Sequence, residues 1–289
     1  MTDPTVHPPV RRLAAVGWTV LFFVAGIALT LILATIMVAV IGRPPSVTTP
    51  TAQDLNVQTV AALLGFGVAT VIFGRVVLKF SAADLRWAPL RQAPGGFALG
   101  LVLGIVPALV ALGLSVPLGG ARFLRDSGGA AEYFTVISQT ALVLLPAALV
   151  EEIIFRGVGQ VALARAFGRI PALVALSLLF SLAHILNPNP TPLGLINIAA
   201  AGIYLGMVFY APGGIWTAWG AHFGWNATLA ALDAPVSGLP FRIPLIDYAP
   251  GGPSWLTGGN FGPEGGLLAS VALVIMTGAV WNWTRKERA

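Results

Sequence analysis

The sequence predicts an all-α fold, a polytopic transmembrane helical bundle of about eight membrane helices forming one domain over residues 1–289. Three observations predict it. Of the residues 56% are hydrophobic and only 9% charged, whereas soluble domains carry about 25% charged residues. Apolar stretches of bilayer-spanning length, about 20 residues as helix, follow one another almost end to end and leave no room for a soluble domain. The basic residues, finally, alternate between the two sides of successive stretches.

Taken in order, the predicted spans are Ala14 to Ile41, Val57 to Leu78, Phe97 to Leu118, Thr135 to Leu163, Pro171 to Leu186, Gly194 to Ala211, Ile215 to Leu232 and Gly266 to Trp283. The first is too long for a signal-peptide core, and no small-residue cleavage site follows it before Arg43-Pro44-Pro45, so it is read as retained. In the third, Gly96-x3-Gly100-x3-Gly104 allows close helix packing, as does Gly202-x3-Gly206 in the sixth. The fourth ends in charge, at Glu151-Glu152-x3-Arg156. The fifth, sixth and seventh are short, and a re-entrant path is the alternative to a full crossing for such stretches. Between the seventh and eighth lies the longest segment outside the spans, Asp233 to Gly265, rich in Pro and Gly. Trp255 and Phe261 in it would suit a lid or an interfacial anchor, but the plainer expectation is a flexible extracytoplasmic connector.

A net charge of +5 and a pI near 10.2 raise the question of nucleic acid. Position answers it. Twelve of the sixteen Lys and Arg residues fall on one side of the predicted spans, and only Arg43, Arg122, Arg125 and Arg242 on the other. This is the positive-inside pattern; it places both termini in the cytoplasm and leaves no nucleic-acid footprint to explain. The Ala-, Gly- and Arg-rich composition with short loops points to a multi-pass protein of a bacterial inner (plasma) membrane. With no cysteine, disulfides, thiolate zinc sites and cysteine nucleophiles are all excluded.

An acidic side chain near the bilayer centre costs about 2.5–3.5 kcal/mol on insertion scales, so such residues tend to face the bundle interior and to be functional. Nine of the eleven acidic residues lie in tails, loops or span ends; Glu151 and Glu152 are the exceptions. On a helix Glu152 and Arg156 stack on one face in the favourable order, acid before base. Glu151 points about 100° away and has no local cation, so its partner must come from another helix. His7 lies in the N-terminal tail, which leaves His184 and His222 in short spans, with Asn226 four residues after His222 and on the same helical face. Each alone reads as an interhelical hydrogen-bonding residue. Together they are nearly all the strongly polar side chains of the bundle, and convergence relieves the desolvation of each.

Such a cluster has two chemistries open to it. A carboxylate with a neutral imidazole makes a general base for water, while a second imidazole and a carboxamide donate to a developing oxyanion. Alternatively Glu151, His184 and His222 are a ligand set for zinc or another divalent metal with an open position for water. Both point to amide hydrolysis by activated water; neither a His-Glu-x-x-His helix nor a Gly-x-Ser-x-Gly elbow is present.

Glu151-Glu152-x3-Arg156, Phe180-x3-His184 and His222-x3-Asn226, in this order on separate spans, resemble the three motifs of the CPBP family, which includes the CAAX prenyl proteases related to the Ras-converting endopeptidase, also grouped as the Abi family. The likeness covers about Thr135 to Leu232, the expected catalytic core. It implies an intramembrane endopeptidase in which Glu151 and His184 activate water and His222 with Asn226 stabilises the oxyanion. Glu152, Arg156 and Phe180 would support them. The implied partners are the lipid bilayer and a membrane-embedded or lipidated peptide or protein. Two readings from other classes compete: a proton- or ion-coupled transporter using Glu151, His184 and His222 as a relay, and a catalytically inactive membrane scaffold.

Overall fold

The computed structural model describes residues 11–42 and 52–286. His7, Arg43 and Arg288 lie outside the described residues. All eight predicted spans are helical: α1 (Arg12–Ile41), α2 (Ala52–Ala69, continuing as a π-helix over Thr70–Val77), α3 (Ala93–Gly119), α4 (Ala130–Arg156) with α5 (Val158–Phe167), α6 (Arg169–Ala183), α7 (Pro192–Val208), α8 (Ile215–Ala231) and, after a single short turn α9 (Ser254–Thr257), α10 (Leu267–Lys286). Five stretches are long and apolar enough to cross a membrane, and α6 and α7 are shorter apolar helices. The fold is an all-α polytopic bundle.

The fourth predicted span differs from expectation: it is two helices. Gly157 leaves helical geometry at φ −75° and ψ −124°, and a Cβ there would lie 2.4 Å from the carbonyl oxygen of Ile153. Only glycine fits, and the chain breaks directly after Arg156. α5 then turns aside to pack against α1 and α6.

Contacts between loops show which helix ends lie together. At one end Arg165 pairs with Asp84 at 2.5 Å, Arg86 donates to the carbonyls of Phe209, Tyr210 and Ala211 at the end of α7, and Arg12 lies over the Phe167 ring. This basic end gathers the start of α1 with the α2–α3, α5–α6 and α7–α8 connections. At the opposite end Asn187 donates to the carbonyl of Ser237 and Tyr133 to that of Ala231. There β1 (Arg122–Arg125) pairs antiparallel with β2 (Ile246–Ala249).

The segment from Asp233 to Gly265 is therefore not the loose connector that its composition suggests. It contributes β2, α9 and two 3-10 turns, and it buries Ile243 and Phe261 at 1% exposure each. Phe261 packs with Phe155, Phe180 and Ile198, so the segment reaches into the core, whereas Trp255 stays exposed. Its glycines explain the order: Gly258, Gly259 and Gly262 hold positive φ, which fixes a tight path that other residues resist.

α3 and α8 form the closest helix pair. A Cβ added at Gly100 or Gly104 would fall 2.2 or 2.0 Å from the carbonyl oxygens of Thr217 and Ala221, so the two backbones touch through the predicted glycine stripe. Gly202 meets Ser177 on α6 in the same way. This contact holds α8, which carries His222 and Asn226, at a fixed height in the bundle. Gly104→Leu should accordingly lower the melting temperature in detergent by the equivalent of about 3 kcal/mol or more, beyond ordinary overpacking. Gly113→Leu, with nothing within 4 Å, should melt like the parent; equal melting of the two variants would mean that the stripe is not a contact.

Candidate active site

The two adjacent glutamates have opposite surroundings. Glu152 is fully buried, at 0% exposure. Its Oε1 accepts a hydrogen bond from Arg156 Nη1 at 3.1 Å and lies 2.8 Å from His222 Nδ1. The pairing expected from helical spacing is thus present. A carboxylate only accepts, so Nδ1 of His222 donates and its Nε2 points the other way. Arg156, 2% exposed, also donates from Nη2 to the carbonyl of Gly202 on α7. Removing either charge from this interior would leave its partner uncompensated.

Glu151 faces a cavity of about 680 Å³. Its side chain is 31% exposed, and its Oε2 lies 3.6 Å from His222 Nε2, too far for a direct hydrogen bond but within reach of one bridged by water. That oxygen is buried and makes no hydrogen bond among the described residues. His222 therefore sits between the two carboxylates, one bonded to Nδ1 and one facing Nε2.

His184 closes α6 and faces the same cavity, as do Asn226 and Phe180. Its Nδ1 lies 2.7 Å from the carbonyl oxygen of Phe180. A carbonyl cannot donate, so Nδ1 carries a proton, and Nε2 is the nitrogen left for other partners. Phe180 is the hub beneath: its ring centroid lies 4.6 Å from that of His184 and 6.0 Å from that of His222, and the Arg156 guanidinium stands 4.7 Å over it. An aromatic residue at this position touches both imidazoles and the supporting cation at once. Asn226, one residue beyond Trp225 on α8, makes no side-chain hydrogen bond to other described residues and lines the cavity.

Among the described residues no three His, Asp or Glu side chains gather as a metal-ligand set. Glu151, His184 and His222 line one cavity without forming the chelate that the metal alternative requires, so no step is routed through an ion.

Sequence reasoning missed Glu264. Counted as a loop residue, it is 5% exposed and lines the cavity. Its Oε1 accepts from Trp225 Nε1 at 3.0 Å, and its Oε2 accepts from the backbone N–H and hydroxyl of Ser237. Its backbone carbonyl and that of Gly266 accept from Asn197 Nδ2 at 2.8 and 2.9 Å. Burial pushes its carboxyl up from the ordinary range, against the opposing pull of Ser237, Trp225 and the nearby His184. Asn197 and Gln160, both buried, are two further interior polar groups outside the expected cluster. The available signal was a lone acid within "FGPEGG", in a loop long enough to have a role.

The family described as type II CAAX prenyl endopeptidase Rce1-like matches residues 133–228. The matched segment is similar to that family. It contains all three motifs, and the resemblance read from them holds. Comparisons with curated proteins and with solved structures gave no match.

Within the matched segment Glu152 and Arg156 form a buried ion pair. Arg156→Ala should destabilise the protein by about 3–5 kcal/mol, since Glu152 would keep its charge in the interior without a cation. Arg156→Lys restores the charge but not the planar fork that also reaches Gly202, and should fall between. Folded yield and melting in detergent measure both; wild-type melting of Arg156→Ala would show that the pair supports nothing.

Proposed function

We propose that the chain is a CAAX-protease-type intramembrane endopeptidase that hydrolyses a peptide bond of a membrane-associated substrate with water activated by Glu151. The observation that carries the reading is the contrast at the first motif: Glu152 is fully buried and its Oε1 is committed to Arg156 and His222, while Glu151 lines the cavity and makes no direct hydrogen bond to either. The Rce1-like match supports the reaction class.

In this mechanism Glu151 takes a proton from water as the water oxygen attacks the substrate carbonyl carbon. His184 assists through Nε2. The carbonyl oxygen becomes an oxyanion, to which Nδ2–H of Asn226 donates and, with the His222 ring protonated on both nitrogens between the two carboxylates, Nε2–H of His222 as well; donors aimed at charge that appears only during reaction lower the barrier most. The C–N bond then breaks, and the proton held by Glu151 passes to the leaving amine. Glu152 fixes the ring of His222 through Nδ1, the orienting role a third group plays for a catalytic imidazole. A transporter relay would spread its polar residues along a pathway. Here Glu151, His184, His222 and Asn226 line one cavity walled largely by apolar side chains, which favours chemistry over conduction.

The oxyanion assignment makes a sharp expectation. Asn226→Ala should fold, melt near wild type and keep its KM, while turnover falls about 100- to 1000-fold; Asn226→Asp should be slower still, since it sets an anion against the oxyanion. A substrate for the assay can be sought by comparing membrane proteomes with and without the active enzyme. Cleavage by Asn226→Ala at the wild-type rate would remove Asn226 from the mechanism. A chelator should leave cleavage undiminished; a loss reversed by added zinc would restore the metal alternative through Glu151, His184 and His222.

A further inference from the structure

The cavity is asymmetric along the bundle axis, and the asymmetry bears on where the substrate comes from. At the basic end it is sealed. Glu152, Arg156 and Gln160 form a buried polar layer at 0%, 2% and 1% exposure. Arg156 donates to the carbonyl of Gly202 and Gln160 to that of Gly206, tying the α4–α5 break to α7. Beyond them Arg86 occupies the end of α7, and the indole of Trp216 donates to the carbonyl of Ala88.

Toward the other end the cavity continues. A second cavity of about 900 Å³ shares Leu55, Val143 and Leu239 with the first, so the two chambers lie side by side with these side chains at their boundary. The outer chamber is lined by the exposed residues Asn189, Pro240, Arg242 and Asn260 of the α6–α7 connection and of the segment after α8. His184, at the loop end of α6, and Asn226, near the loop end of α8, line the inner chamber from this half of the bundle. Charge then orients the two ends. Among the described residues, eleven of fourteen Lys and Arg belong to the basic end or the helices leading into it, all but Arg122, Arg125 and Arg242, and basic loops stay in the cytoplasm. The mouth of the cavity lies on the opposite side.

We propose that the enzyme takes its substrate from the extracytoplasmic side: a membrane-anchored polypeptide whose apolar segment fills the inner chamber beside Glu151 and whose extended polar flank leaves through the outer chamber past Leu239 and Arg242. The scissile bond lies in the half of the bilayer away from the cytoplasm. This deepens the peptidase reading and rests on it for the chemistry, but the direction of access does not depend on turnover.

The absence of cysteine makes the native chain its own background for site-directed labelling. Asn260→Cys at the outer chamber and Leu90→Cys, 78% exposed at the basic end, are both at exposed positions outside the proposed catalytic set. In intact spheroplasts a membrane-impermeant maleimide should label Asn260→Cys and reach Leu90→Cys only after permeabilisation. The reverse pattern would overturn the proposal whatever the activity. A third variant, Leu239→Cys, stands where the chambers meet. Modified from outside by a bulky impermeant maleimide, it should lose cleavage of a membrane substrate at least tenfold, while the same reagent leaves the cysteine-free parent active. Full cleavage by modified Leu239→Cys would show that substrate enters by another route. Failure of the unmodified parent to cleave would count against the peptidase reading alone, because the labelling pattern stands without it.

Discussion

The rest of the site depends on one buried ion pair. Glu152 and Arg156, one helical turn apart on α4, sit in an interior that is apolar almost everywhere else, and each is committed twice. Glu152 holds Arg156 and Nδ1 of His222; Arg156 holds Glu152 and the carbonyl of Gly202. Three helices, α4, α7 and α8, are joined through four polar groups. The pair is costly to bury and more costly to break, which makes it effective at fixing geometry. Phe180 adds α6 through the face of its ring, on which Arg156 stands. The chain break at Gly157 follows immediately, and α5 adds Gln160 to the layer through its bond to the carbonyl of Gly206 on α7.

From this layer follows the division of labour between the adjacent glutamates. Successive residues on a helix point about 100° apart, so one acid can face the packed core while its neighbour faces a cavity. The order of the pair decides which does which. Arg156 lies four residues after Glu152, on the same face, and not after Glu151. The imidazole of His222 transmits the arrangement, bonded to the structural acid at one nitrogen and presented to the cavity at the other. On the far wall Glu264 performs the same kind of work for the loop segment, tying Trp225, next to Asn226, to Ser237 and, through Asn197, to α7.

What was legible in the sequence was local or repetitive. Span positions follow from runs of apolar residues, the glycine stripes from their spacing of four, and the Glu152–Arg156 contact from helical periodicity. The three motifs carried the gathering of Glu151, His184, His222 and Asn226. What was not legible was long-range. That His222 falls between both glutamates depends on the height of α8 beside α4, and the backbone contacts at Gly100 and Gly104 that fix α8 come from a third helix, α3. The break at Gly157 is marked by its backbone angles, whereas the fourth span predicted from sequence runs through it to Leu163. Glu264 was passed over because its burial comes from partners 27, 39 and 67 residues away, and a glycine-rich loop looks mobile until its turns are known.

The central claim, that neighbouring glutamates are separated into a supporting and a reacting acid, is tested most directly by measuring melting temperature and cleavage side by side for Glu151→Gln and Glu152→Gln. The account predicts that Glu151→Gln melts at or near the wild-type temperature and has no measurable turnover. Glu152→Gln, which leaves Arg156 without a counter-charge in the interior, should melt several degrees lower, and its residual activity should recover in part at temperatures where it is fully folded. If Glu151→Gln cleaved, or if the two variants were equally stable and equally inactive, the two acids would not be divided in this way and the account would be contradicted.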